Sequence, residues 1–171
     1  MINEKQLREE IIRPGLDLLN LNSKAAEELL VLTACVETDA GSYVKQIQGP
    51  GLGLFSIEPA THDDIWKRYL QTRLREVYKI LEAINMTTQP QAYMLKYNLL
   101  YSVLMARVFY LRFREPLPEH DDIIGLAEYW KKYFNTKLGR GTVDMAISKY
   151  CKYTKKKIPG EEKPTIKGKR K

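Results

Sequence analysis

Apolar residues recur at intervals of three and four along most of this chain, and the recurrence breaks wherever glycine, proline and asparagine gather. Leu7, Ile11 and Ile12 define a first helix over residues 4 to 13, which Pro14-Gly15 should interrupt before a short apolar turn through Leu21. Ser23 reads as the N-cap of a stronger helix, with Glu27 and Glu28 in its first turn, where the helix dipole favours acids. Ala26, Leu29, Leu30, Thr33 and Ala34 repeat at helical spacing along it, and it should run to about Asp39 and stop at Gly41.

No helix can pass between Gln46 and Pro59, because Gly49, Pro50, Gly51 and Gly53 crowd ahead of the stretch Leu54-Phe55-Ser56-Ile57. The pattern there fits a tight loop leading into a short strand or extended segment. Thr61 and Asp64 resemble a capping box for a helix through Ile65, Trp66, Tyr69 and Leu70, and a further helical stretch covers about Leu74 to Ile84. From about Gln91 to Arg114 the residues are apolar almost all round, as in a helix at the middle of a domain. Asp121 or Asp122 should cap the next helix, through Tyr133, and a last one should span Val143 to about Tyr153. The expected class is α+β, predominantly helical, with a central buried helix and a small β element or loop after the helix that ends near Asp39.

The 171 residues, 44% of them hydrophobic, suit one packed domain. The net charge of +7 resides wholly in the segment from Lys152 onward, and residues 1–151 balance. The expectation is therefore a domain over residues 1–151 and a basic, disordered tail over 152–171. Only that tail argues for contact with an anionic polymer such as DNA. No apolar run approaches the roughly 20 residues of a bilayer-spanning helix, and the charged start MINEKQLREE does not read as a Sec leader, so a chain made in the cytoplasm with no membrane span is expected. Cys35 and Cys151 lack metal-ligand spacing and read as ordinary thiols, and His62 and His120 as capping or surface residues. The GPGLG stretch lacks the context of a nucleotide loop, and no cofactor or metal is expected.

Candidate chemistry concentrates at the end of the second apolar run, LVLTACVE, which closes on Glu37. A carboxyl there loses hydration and lies near the negative end of the helix dipole, and both effects should raise its pKa. A glutamic acid still protonated near neutral pH is what general acid catalysis of glycoside cleavage requires. Glycines in the following loop permit close approach to an extended polar ligand, and Glu58 returns a second carboxylate toward the same region.

The segments ETDAG and GPGLGLFSIEPATH, within residues 30 to 66, resemble goose-type lysozymes and soluble lytic transglycosylases. The resemblance implies a lysozyme-like fold acting on peptidoglycan glycan strands, with Glu37 as general acid and Thr38 as the small hydroxyl residue after it. It also implies a substrate cleft lined by Gly53 to Ile57, hence by Gly53, Leu54, Phe55 and Ser56. Glu58 falls where goose-type lysozymes carry an acid. Ser56 stands where the families commonly have Gln, Phe55 where they have Met, and their later Tyr-Asn-Ala-Gly motif is absent as such. Tyr93 and Tyr110 are the candidates for its substrate-facing tyrosine, with Tyr97 and Asn98 as partial substitutes. The stretches YNLLYSVLMARVFYLRFREPLP and YWKKYFNTKLGRGT resemble tailed-phage particle proteins that carry a lysozyme-like domain. That implies a virion protein that opens the host wall, with other virion proteins as partners. The alternative is a non-catalytic structural virion protein that keeps the lysozyme-like scaffold.

Overall fold

The computed structural model describes residues 1–135 and 139–160, and these are predominantly helical. Helix α1 (Glu4–Gln6), a π-helical segment (Leu7–Ile12) and α2 (Arg13–Leu18) form one continuous N-terminal rod, so Pro14-Gly15 does not interrupt it. Arg13 N–H already donates to Arg8 O, five residues back, so Pro14 enters at a change of register that tolerates its missing donor. Gly15 serves packing: a Cβ there would lie 2.5 Å from Val103 Cγ1.

Helix α3 (Lys24–Thr38) begins where Ser23 Oγ accepts from Ala26 N–H at 3.1 Å. It ends with Asp39, Ala40 and Gly41 all in the left-handed region, at φ 48°, 50° and 79°. Helix α4 (Pro59–Asp64) continues into a π-helical segment (Ile65–Tyr69) and a 3₁₀ turn (Leu70–Thr72), followed by α5 (Leu74–Ala83). Thr61 is not the cap of α4: Glu58 takes the N-cap position and Pro59, its φ preset for a helix, the first turn. The apolar stretch from Gln91 is not helical throughout. A 3₁₀ segment (Ala92–Lys96) precedes α6 (Leu99–Leu111), because Asn98 accepts from Tyr101 N–H at 2.9 Å and starts a new helix there. Asp122 caps α7 (Ile123–Trp130), which continues as a π-helical segment (Lys131–Asn135), and Thr142 caps α8 (Val143–Thr154).

Residues Tyr101 to Tyr110 of α6 are all buried, which makes α6 the central helix. Helix α2 packs on it, and α3 lies against α6, α7 and α8. The expected strand is reduced, among the described residues, to isolated antiparallel bridges between Lys45 and Leu52 and between Leu52 and Ile57. The folded body passes residue 151: Tyr153 O–H donates to Ile2 O at 2.9 Å, and Ile158 packs against the core. The remainder of the expected tail, residues 161–171, lies outside the described residues. No helix among the described residues is long and apolar enough to cross a membrane.

The bridged loop is anchored from below. Gly53 sits at φ 74°, its N–H donates to Val44 O at 2.9 Å, and a Cβ on it would fall 2.2 Å from Leu95 O. Both the backbone conformation and the contact with a carbonyl exclude a side chain. Gly53→Ala is expected to cost at least about 2 kcal/mol, measured by urea denaturation, and an unchanged midpoint would refute this packing.

Candidate active site

A cleft of about 1070 Å³ opens where the C-terminal end of α3 meets the bridged loop, the start of α4 and the N-terminal part of α8. Glu37 lies in it, among the apolar side chains of Val36, Phe109, Phe134 and Met145. Trp130, the last residue of α7, donates its Nε1–H to Glu37 Oε1 at 2.9 Å. Burial pushes the Glu37 carboxyl up to about 7, against the opposing pull of the Trp130 hydrogen bond and the Lys149 charge. Among the described residues the carboxyl has no other hydrogen-bond partner, so Oε2 is left to carry the proton. Near neutral pH the group is thus poised between acid and carboxylate.

Its surroundings are held by charge and by the helix end. Lys149 Nζ lies 2.8 Å from Asp39 Oδ1 and donates to Val36 O at 3.1 Å, so one cation pairs the neighbouring acid and satisfies a terminal carbonyl of α3. One turn before Glu37, Thr33 shares a hydrogen bond of 2.8 Å with the hydroxyl of Tyr110 on α6. This buried contact fixes the rotation of α3 about its axis and with it the direction of Glu37.

Of the residues that sequence reasoning assigned to the site, Glu37, Thr38, Ser56, Ile57 and Glu58 come together on the cleft. Glu58 is exposed there, at the N-cap of α4, and its side chain makes no capping bond. Thr38 is present but turned inward: its hydroxyl donates to Leu54 O at 2.7 Å and accepts from Gly41 N–H at 3.0 Å. It is a clamp between the end of α3 and the loop, with no free group for a ligand. Gly53, Leu54 and Phe55 do not line the cleft. They pack into the core because the loop lies down on the 3₁₀ segment and α6, which leaves Leu54 and Phe55 1% and 0% exposed. Tyr110 is likewise fully buried, its hydroxyl committed to Thr33. Tyr93 is absent from the cleft. It is exposed on the 3₁₀ segment beside Tyr97, ring centroids 5.9 Å apart, while Asn98 is occupied as a cap.

His62 is not a surface residue. It is fully buried, with Nε2 2.6 Å from the Tyr101 hydroxyl and Nδ1 2.9 Å from Asp63 Oδ1. Trp66 Nε1–H donates to the same hydroxyl at 2.9 Å, so the Tyr101 O–H donates to Nε2 and Nδ1–H faces Asp63. Burial lowers the pKa of His62, which keeps it neutral as a structural link between α4 and α6. Cys35 and Cys151 are both buried, Cys151 Sγ lying 3.5 Å from Lys157 O, and no group of three or more His, Cys, Asp or Glu among the described residues could hold a metal ion.

Trp130, Asp39, Lys149 and Phe134 were missed from the sequence. The available signal was Trp130 itself: a buried indole needs an acceptor for its N–H, and a carboxyl on another apolar helix is a fitting one. Trp130→Phe removes that bond and is expected to raise the Glu37 pKa further. A ¹³C-NMR titration of the Glu37 carboxyl should therefore show its midpoint above that of the unmodified protein, whereas an equal or lower midpoint would contradict the contact.

In comparisons with known proteins, no family model, curated protein or solved structure matches this chain.

Proposed function

We propose that this protein is a peptidoglycan-cleaving glycosidase or lytic transglycosylase with a lysozyme-like fold, in which Glu37 is the general acid. The observation that carries the reading is the Glu37 carboxyl: half-buried beside a large open cleft, pushed up to about 7, and directed by the Trp130 N–H. In this mechanism the proton on Oε2 passes to the glycosidic oxygen as the bond to the leaving sugar breaks. The resulting carboxylate is stabilised by the Trp130 N–H and by Lys149, the two influences that already oppose burial. Exposed Glu58, on the same cleft, is suited to activating a water that completes hydrolysis. Where the substrate's own acetamido group assists instead, the C6 hydroxyl of the same sugar then displaces it at the anomeric carbon, gives its proton to the Glu37 carboxylate, and an anhydro sugar results. The phage particle is the proposed location, with the host cell wall as the place of action.

Zymography on purified peptidoglycan, with Glu37→Gln beside the unmodified protein, tests the reading, and mass spectrometry of the released sugars reports hydrolysis or anhydro-sugar formation. Clearing that depends on Glu37 supports it. Absence of clearing by the unmodified protein would favour a structural virion protein on the same scaffold.

A further inference from the structure

The cleft that holds Glu37 is also lined by Arg140, which the cleavage mechanism leaves unused. Its two glycine neighbours fix the loop that carries it. Gly139 O accepts from Lys131 Nζ at 2.9 Å, and a Cβ on Gly141 would lie 2.5 Å from Trp130 Cη2. The loop backbone therefore rests on the indole ring whose Nε1–H donates to Glu37 Oε1 at 2.9 Å. The residue after Arg140 and the Glu37 carboxyl thus touch different edges of one rigid, fully buried ring.

Among the described residues, the cations on the cleft are Lys149 and Arg140. Lys149 is engaged, with Asp39 Oδ1 at 2.8 Å and Val36 O at 3.1 Å. The Arg140 side chain is exposed and makes no hydrogen bond or ion pair among the described residues, Glu58 of the same cleft included. Water satisfies an exposed guanidinium, but one that faces a cleft loses that water when a ligand fills the space, and the loss is costly unless the ligand supplies an acceptor. Neutral sugars would offer hydroxyls, which leave the charge uncompensated. A carboxylate on the bound chain would meet the charge and take two parallel N–H···O bonds.

We infer that Arg140 is a specificity residue that takes a carboxylate carried by the glycan strand. The inference rests on the glycan reading of the cleft and adds the kind of strand it selects, an acidic one. In peptidoglycan the carboxylate has two sources: the lactyl ether of a muramic acid that bears no peptide, and the peptide stem where the lactyl group is amidated. Both present the planar pair of oxygens that a guanidinium fork matches. Because the Arg140 loop is seated on Trp130, pairing there also sets the register of the strand against Glu37.

Isothermal titration of the full chain carrying Glu37→Gln, which keeps the ligand intact, tests the inference with hexasaccharides of equal length. The probes are a neutral N-acetylglucosamine oligomer, an alternating N-acetylglucosamine and N-acetylmuramic acid oligomer with free lactyl carboxylates, and the latter bearing peptide stems. The expected result is tighter binding of an acidic chain than of the neutral one, a preference that Arg140→Gln in the same background lowers roughly tenfold or more. Arg140→Lys, which keeps the charge without the fork, should lower it less. The basic tail is the same in all these proteins, so the difference belongs to position 140, and urea melts check that each exposed-site variant is folded. Dependence on Arg140 with the free-lactyl chain assigns the lactyl carboxylate, and dependence with the peptide-bearing chain alone assigns the stem. No preference for acidic chains, or the same preference with and without Arg140, would overturn this inference alone, whereas failure of every chain to bind would overturn the glycan reading with it.

Discussion

Replacing Glu37 with Gln is expected to remove wall cleavage and, in the same protein, to make the fold more stable at alkaline pH. The loss of activity should be on the order of 10²–10⁴-fold, the usual contribution of a positioned general acid. The gain in stability follows from linkage. The folded carboxyl titrates at about 7, above its ordinary value of 4.5, so the native state holds its proton more tightly than the unfolded chain does. Ionised Glu37 therefore imposes no penalty below about pH 4.5, and the penalty grows as pH rises to reach about 3 kcal/mol above pH 7. Gln keeps an oxygen for the Trp130 N–H but cannot ionise. Urea melts of the two proteins should coincide near pH 4 and separate by pH 8, with the variant the more stable. Cleavage by the unmodified protein should fall as pH rises through about 7, the value at which the acid loses its proton. A variant that clears peptidoglycan at the original rate would remove Glu37 from catalysis. Melts that coincide at pH 8 would mean that the carboxyl is solvated.

Arg8→Ala is expected to be the most destabilising of these substitutions, by about 3–5 kcal/mol. Arg8 engages three carboxylates at 3.0 Å: Glu4 of its own rod from Nε and, joining the rod to α3, Glu27 from Nη1 and Glu28 from Nη2. Its side chain is 11% exposed, and those of Glu27 and Glu28 are 11% and 14% exposed. Removing the guanidinium leaves two nearly buried acids short of a counterion. Arg13 still serves Glu27, while Lys156 and the Tyr150 hydroxyl still serve Glu28. The effect has a pH signature. Burial opposes ionisation of Glu28, but the bonds from Tyr150 and Arg8 outweigh it and set the Glu28 pKa below 4.5. Its stabilising contribution is thus present above about pH 4.5 and lost as pH falls through the folded value. The gap between Arg8→Ala and the unmodified protein should be widest near neutral pH and should narrow in acid. A gap independent of pH would assign the cost to lost packing instead.

The helices were legible where a local signal marks both the repeat and its start. Ser23 and Asp122 cap helices as their spacing implies, because a side-chain oxygen before an apolar repeat satisfies a helix's first free N–H groups regardless of what packs around it. The departures came where a distant contact outweighed a local preference. Pro14-Gly15 reads as a break, yet the rod continues, since Val103 of α6 needs the space that Gly15 leaves. Thr61 reads as a cap, yet Pro59 starts α4 one turn earlier. The tyrosine candidates could not be sorted by sequence for the same reason. Tyr93 and Tyr110 both sit in aromatic-rich stretches, and only the docking of α3 on α6 seals Tyr110 against Thr33 while leaving Tyr93 in water.

By itself the sequence determined that the chain is mainly helical, that one helix is buried all round, and that an acid closes an apolar helix beside a glycine-rich loop. Those are properties of spacing and residue type within a few turns, which the backbone obeys locally. The tertiary structure alone decided what that acid meets: a tryptophan 93 residues away, a lysine on the last helix, and a second carboxylate across the cleft. It also left Arg107 Nε buried without a hydrogen-bond partner among the described residues. A pKa and an unmet hydrogen bond depend on dielectric surroundings and on partners brought together by packing, and no periodicity along the chain encodes which distant residue that partner is.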